Sequence, residues 1–186
     1  MEALDLLLGR ESAVRLGDPA PGADQLDLIF ESAVRAPDHG RLRPWRFVVI
    51  AGDMRQRFGE VLADSLHRRL PDALPELLQR EREKALRAPV IVAVAAHLVA
   101  PHKIPEQEQL LAAGAAAQNI MLAAHAQGFG AMWKTGEAAY DPAVKQALGL
   151  DPADQIVGFL YLGTQIGGGS PLPRPAAKGF VSVWQG

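Results

Sequence analysis

The chain contains no cysteine. Disulfides, thiolate zinc sites and cysteine nucleophiles are therefore excluded outright. It also lacks an excess of either charge: 19 basic against 21 acidic residues leave a formal −2 at pH 7. That balance makes no global electrostatic case for nucleic acid or an anionic membrane, so any anion site has to be local. No stretch approaches the roughly 18 uninterrupted apolar residues of a membrane span. The longest weakly polar run, Leu110 to Ala117, is short and Ala-rich. The opening "MEALDLLLGRES" carries acids where a secretory leader needs bases, so the cytoplasm is the expected location. Also missing are a Gly-x-Ser-x-Gly elbow, a Walker-type loop and any spacing of histidines and carboxylates suited to a metal. Without a credible nucleophile, metal set or coupled carboxylate pair, catalysis here would have to rest on a cofactor.

What is present fits one domain of α+β class spanning residues 1–186. The length of 186 residues allows a substantial core, and 48% hydrophobic with 22% charged residues is ordinary for a globular chain. A short helix is expected over about Glu2–Leu8, with Leu4, Leu7 and Leu8 on one face. Leu26, Ile29, Phe30, Ala33 and Val34 form an i, i+3, i+4, i+7, i+8 stripe that Ala36-Pro37 should end. "WRFVVI" reads as a buried strand and "VIVAVAAH" as another. Between them, a stripe of Met54, Phe58, Val61, Leu62 and Leu66 marks a helix. After it, "PELLQREREKALRAP" reads as an exposed helix with Glu76/Arg80 and Glu83/Arg87 at i,i+4. Glu106–Gln127 should be the longest helix, capped by Gly128, and its small residues suit the centre of the fold or a subunit interface. "FGAMWK" is expected as a short strand, Asp141-Pro142 as the start of a helix closed by Gly149, and "QIVGFLYLGT" as a third strong strand. The tail changes character: Gly167–Gly169 reads as a hinge, a proline-rich arm follows, and "FVSVW" looks strand-like. Helices first, then strands interleaved with helices, indicate a mixed sheet.

Three local patterns carry chemistry. In "RES", Arg10 and Ser12 could both reach one phosphate, by guanidinium fork and hydroxyl. A capping serine with solvated arginines accounts for the same letters. "RAPDHGRLRPWRFVVI", from Arg35 to Ile50, sets four arginines against the single acid Asp38. Arg35 suits the negative end of a helix dipole, yet so much unpaired positive charge also suits an anionic ligand. His39 stands alone, without partners at metal-ligand spacing. "GFGAMW" has two glycines after a helix but not the order of a dinucleotide fingerprint; its other reading is close backbone approach to a flat ligand.

Taken together, "LLLGRESAVR", "RAPDHGRLRPWRFVVI", "AAGAAAQNIMLAAHAQGFGAMWKTG", "IVGFLYLGT" and the proline-rich tail resemble the nitroreductase family of FMN-dependent oxidoreductases. The likeness runs nearly end to end, most closely to small single-domain NAD(P)H nitroreductases of the bacterial YdjA type. The resemblance implies an α+β fold with a mixed, mainly antiparallel sheet flanked by helices. It further implies an intertwined homodimer with FMN at the subunit interface and an arm of about residues 165–186 reaching across. By position, Arg10, the Glu11 backbone, Ser12 and Arg35 should serve the FMN phosphate and ribityl region. His39 should reach the flavin of the opposite subunit. Ala131, Met132 and Trp133 should lie beside the ring, mostly through backbone, and Arg174 in the tail should contact the phosphate. The implied activity is ping-pong hydride transfer from NAD(P)H to a small electron acceptor such as a nitroaromatic, quinone or enone. A non-catalytic FMN-binding or flavin-handling protein on the same fold is the alternative. A partner-binding α+β dimer using the arginine-rich turn is a rival of another class. This chain departs from many relatives in carrying Glu11 before the serine, and Arg41 and Arg43 where an amide-rich turn is common.

Overall fold

The apolar run of residues 90–97 becomes the middle of a five-stranded sheet, and the computed structural model shows why it tolerates no polar alternation. The structure describes residues 2–167 and 173–186. In chain order its helices are α1 (Ala3–Gly9), α2 (Ala23–Ala33), α3 (Met54–Arg69), α4 (Pro75–Lys84), α5 (Glu106–Ala126) and α6 (Pro142–Ala147). Its strands are β1 (Leu16–Gly17), β2 (Trp45–Ala51), β3 (Val90–His97), β4 (Gly130–Lys134) and β5 (Asp154–Gln165). β3 lies between β2 and β5, β4 pairs the other edge of β5, and β1 pairs β5 at its C-terminal end. Each of these ladders is antiparallel, and one parallel bridge, Ser12 to Ala131, makes the sheet mixed.

Helices cover both faces of β3, so both sets of its side chains are buried. Val90, Val92 and Val94 pack with Leu160 and Leu162 under α2 and α5, while Ile91, Ala93 and Ala95 pack with Phe159 and Phe58 of α3 on the reverse face. α5 is the central helix. Ala112, Ala113, Ala116, Ala117, Ile120 and Ala124 are all buried, and the absence of bulk lets it lie close to the sheet. Polar clamps fix α2 along it: Asn119 Nδ2 donates to the Ser32 carbonyl at 3.1 Å, and Gln127 Nε2 to the Gln25 carbonyl at 3.3 Å. Gly128, at φ +85°, ends α5 in the left-handed conformation that favours glycine. Asp141 caps α6 by accepting from the Ala143 N–H at 2.8 Å.

Three expectations need correction. "WRFVVI" is an outer strand, half-buried, with Val49 exposed, because no strand lies beyond β2 among the described residues. The i,i+4 pairs of α4 do not form. The helix stops at Lys84, before Arg87, and its charges engage Arg82 with Glu60 at 2.8 Å and Lys84 with Glu81. "FVSVW" is not a strand: Ala177–Phe180 is a 3-10 turn and the residues after it run extended without a ladder. A strand needs a neighbour for its backbone, and the described residues offer none there. The hinge expected at Gly167–Gly169 falls partly outside the described residues; Gly167 itself has φ +75°.

Candidate functional site

α1 ends at Arg10, whose N–H donates to the Leu6 carbonyl and whose backbone then turns extended. The chain next runs beside β4: Ser12 bridges Ala131, and the Ala13 N–H donates to the Ala131 carbonyl at 2.9 Å. Gly130 makes that approach possible. A Cβ there would stand 2.7 Å from Leu16 Cδ2 and 3.0 Å from Ala13 Cβ. Ser12 caps no helix, since the next one begins at Ala23. Two of the predicted clusters, meeting at Ser12 and Ala131 and so 119 residues apart in sequence, are thus one place in the fold.

The tail joins them. Arg174 Nη2 donates to the Arg10 backbone carbonyl at 2.7 Å, close enough for its charge to act on the Arg10 guanidinium. Arg10 Nη1 is buried and has no hydrogen-bond partner among the described residues. Burial, and then the charge of Arg174, lower the Arg10 pKa; Glu11 opposes them weakly. A buried N–H left unpaired is costly, and a pair of like charges adds to the cost. A phosphate between them would relieve both.

β4 supplies a second feature. Residues alternate the edge to which they present N–H and C=O, and Ala131 faces away from β5. Trp133 therefore also presents its backbone to the open edge. Its side chain is already committed: Nε1 donates to the Val157 carbonyl at 3.3 Å and the indole lies across Gly158. Met132 points to the other face, opposite Tyr161. The order of the residues thus leaves backbone, rather than the indole, available to a planar ligand. These residues fit FMN: a dianion cradle at Arg10 and Arg174, and the edge backbone of Trp133 nearby.

Arg35 and His39 are not brought there. His39 sits in a 3-10 turn, His39–Arg41, and its Nδ1 lies 2.5 Å from Glu108 Oε2 in the first turn of α5. Arg10 lies at the opposite end, where the adjoining Gly9 approaches His125. At about 1.5 Å rise per residue these ends are about 25 Å apart. Arg35 is exposed at the end of α2, between the two. Among the described residues no group of three or more His, Asp or Glu is placed to hold a metal.

Sequence reading missed a cleft of about 450 Å³ beside β4, lined by Ala13–Leu16, Leu86, Arg87, Met132, Lys134 and Tyr161. Arg87 enters it from the end of the α4 segment, a distance along the chain that no local pattern could bridge. Its only signal was the i,i+4 ion pair that Arg87 fails to make. Tyr161 is buried, which raises its phenol pKa; the charge of Arg87 opposes the rise and that of Glu81 adds to it.

An α+β fold of this connectivity, with its anion cradle against a short strand, defines a nitroreductase-like protein. The nitroreductase family model matches residues 8–164, and the chain belongs to that family. It is 41% identical to Escherichia coli "Putative NAD(P)H nitroreductase YdjA" over 99% of this chain and 100% of that one. It is 37% identical to a Haemophilus influenzae "Putative NAD(P)H nitroreductase", over 88% of this chain and 89% of that one. Among solved structures, a nitroreductase-like protein from Bacillus cereus superposes with a TM-score of 0.85 at 23% identity, covering 100% of this chain and 97% of that one. A Desulfovibrio desulfuricans protein solved in complex with FMN gives 0.73 at 30% identity, covering 94% and 92%.

Proposed function

We propose that this protein is an FMN-dependent NAD(P)H oxidoreductase of nitroreductase type, working as a homodimer on small-molecule acceptors. The observation that carries the proposal is the buried, unpaired Arg10 Nη1 beside Arg174, next to the open edge of β4. When bound, FMN would supply the redox chemistry, taking hydride from NAD(P)H and passing it to a nitroaromatic, quinone or enone in a ping-pong cycle. The protein's part is to hold and to shape. Arg10, Arg174 and the Ser12 hydroxyl bind the phosphate and ribityl region. The Glu11 backbone fixes their spacing. Ala131, Met132 and Trp133 lie beside the ring; the Trp133 backbone meets its heteroatoms, Ala131 is tied to Ser12 and Ala13, and the Trp133 indole is locked so that the strand cannot drift. No side-chain general base is required.

Arg35 and His39 join the site only from a second copy. One chain keeps His39 and Arg10 at opposite ends of α5, and a two-fold axis that sets two α5 helices antiparallel would bring His39 of one chain to Arg10 of the other. The exposed leucines of α1 and the exposed tail are surfaces that such a dimer would cover.

Colour is the first test. Purified protein offered FMN should be yellow, and a colourless protein would refute the cofactor assignment. Anaerobic NADH or NADPH should then bleach it. Bound flavin that neither nicotinamide bleaches would support the flavin-handling alternative and end the reductase reading.

A further inference from the structure

The cleft beside β4 has an unusual mixture of linings for a protein of net charge −2. Its floor is apolar, from Leu16, Met132 and the buried ring of Tyr161, with the exposed Leu86 at its edge. Its rim carries three cations, Arg15, Arg87 and Lys134, which reach it from three separate segments, and no acid lines it. None of the three forms an ion pair among the described residues. Glu81, the acid whose charge reaches Tyr161, is held by Lys84. Cations over a low-dielectric floor concentrate a positive field where exposed lysines and arginines on a flat surface would not. The volume, about 450 Å³, suits one ring-sized molecule.

We infer that this cleft makes the enzyme charge-selective: its preferred acceptors are flat, unsaturated or aromatic compounds bearing an anionic group, held by Arg15, Arg87 and Lys134 over Leu16, Met132 and Tyr161. The apolar floor takes the ring and the rim takes the carboxylate or phosphate. Met132 belongs both to the cleft and to the strand whose edge faces the ring of FMN, so a molecule in the cleft lies beside that ring. The inference rests on the reductase reading for its chemistry, but the binding of the anion does not.

The test compares p-nitrobenzoate with the neutral p-nitrobenzamide, using flavin-loaded wild type, Arg87→Gln, Lys134→Gln and the double variant. Wild type should favour the benzoate in kcat/KM by about tenfold, with the preference shrinking as salt is raised. The double variant should lose the preference while reducing the amide within about twofold of wild type. Lys134→Arg should retain it, which separates loss of charge from loss of fold. Equal losses on both acceptors would overturn the inference, because the cations would then serve flavin or stability. So would a change confined to NADPH over NADH, which would assign the cations to the nicotinamide donor's phosphate. Benzoate, which cannot be reduced here, gives a readout independent of turnover: it should perturb the bound-flavin spectrum at lower concentration in wild type than in the double variant. Equal benzoate affinity in the two proteins overturns the inference. Charge-dependent benzoate binding in a protein that reduces nothing would uphold the cleft and dismiss the reductase.

Discussion

Arg10 shows how a single side chain can report a missing partner. A buried guanidinium N–H without an acceptor costs about 1–3 kcal/mol, and here the charge of a second arginine, bound to the Arg10 carbonyl, opposes it. Binding of the FMN phosphate would remove that cost, so Arg10→Ala should weaken FMN affinity by roughly 10–100-fold, read by quenching of flavin fluorescence. An unchanged Kd would reject the phosphate assignment. Arg10→Lys should recover only part of the affinity, since an ammonium cannot fork. Gly158 tests the other half of the site. A Cβ there would stand 2.1 Å from Trp133 Nε1 and 3.0 Å from the Lys134 carbonyl. Gly158→Ala should therefore destabilise the protein by about 1–3 kcal/mol in urea denaturation and loosen FMN with it. A variant as stable as wild type would show that the indole is not wedged against the strand. Arg10 and Ser12 were legible in the sequence because their spacing is local. Arg87 and Lys134 were not, because only the fold sets them on one rim.

Among the elements, those with long runs and small residues were the readable ones. β3 announced itself by eight residues without a charge, and α5 by alanines that could only be useful under close packing. β1, two residues long, has no pattern to read, and it exists because β5 offers it a ladder. The expected strand in the tail failed for the converse reason. Asp141 gives the element scale its pH dependence. Burial raises its pKa, but the nearby Ser65 hydroxyl, Arg68 at 2.8 Å and the Ala143 N–H together more than offset this and leave it lowered. A lowered carboxylate contributes stability above its unfolded pKa, about 3.9 in model peptides, and the contribution is lost as pH falls through the folded value. Asp141→Ala should cost about 1 kcal/mol at pH 7 and progressively less below pH 4, measured as the gap between the two urea midpoints. A gap that does not narrow in acid would exclude the charge as the cause.

Large apolar side chains stand exposed near both ends of the chain. Leu8 is 79% exposed, Phe180 78%, Val183 80% and Trp184 89%. These residues lie at the two termini, and exposed apolar patches of this kind mark interfaces. Sedimentation should give a dimer, and Leu8→Asp combined with Trp184→Asp should shift it toward monomer and release FMN in parallel. Flavin retained on a monomer would refute the shared site. The end-to-end family likeness made the fold readable, but no sequence pattern shows that His39 and Arg10 are held about 25 Å apart by the length of α5. That separation has a genetic consequence. If each site borrows His39 from the other chain, Arg10→Ala and His39→Ala subunits, each crippled alone, should rescue one another when co-expressed. The mixed pair has one site with both lesions and one with neither, so it should recover about half of the wild-type turnover per dimer. Two lesions in the same chain should show the same half-recovery when paired with wild type only if that chain fills sites alone, and the contrast between the two crosses counts how many chains build one site.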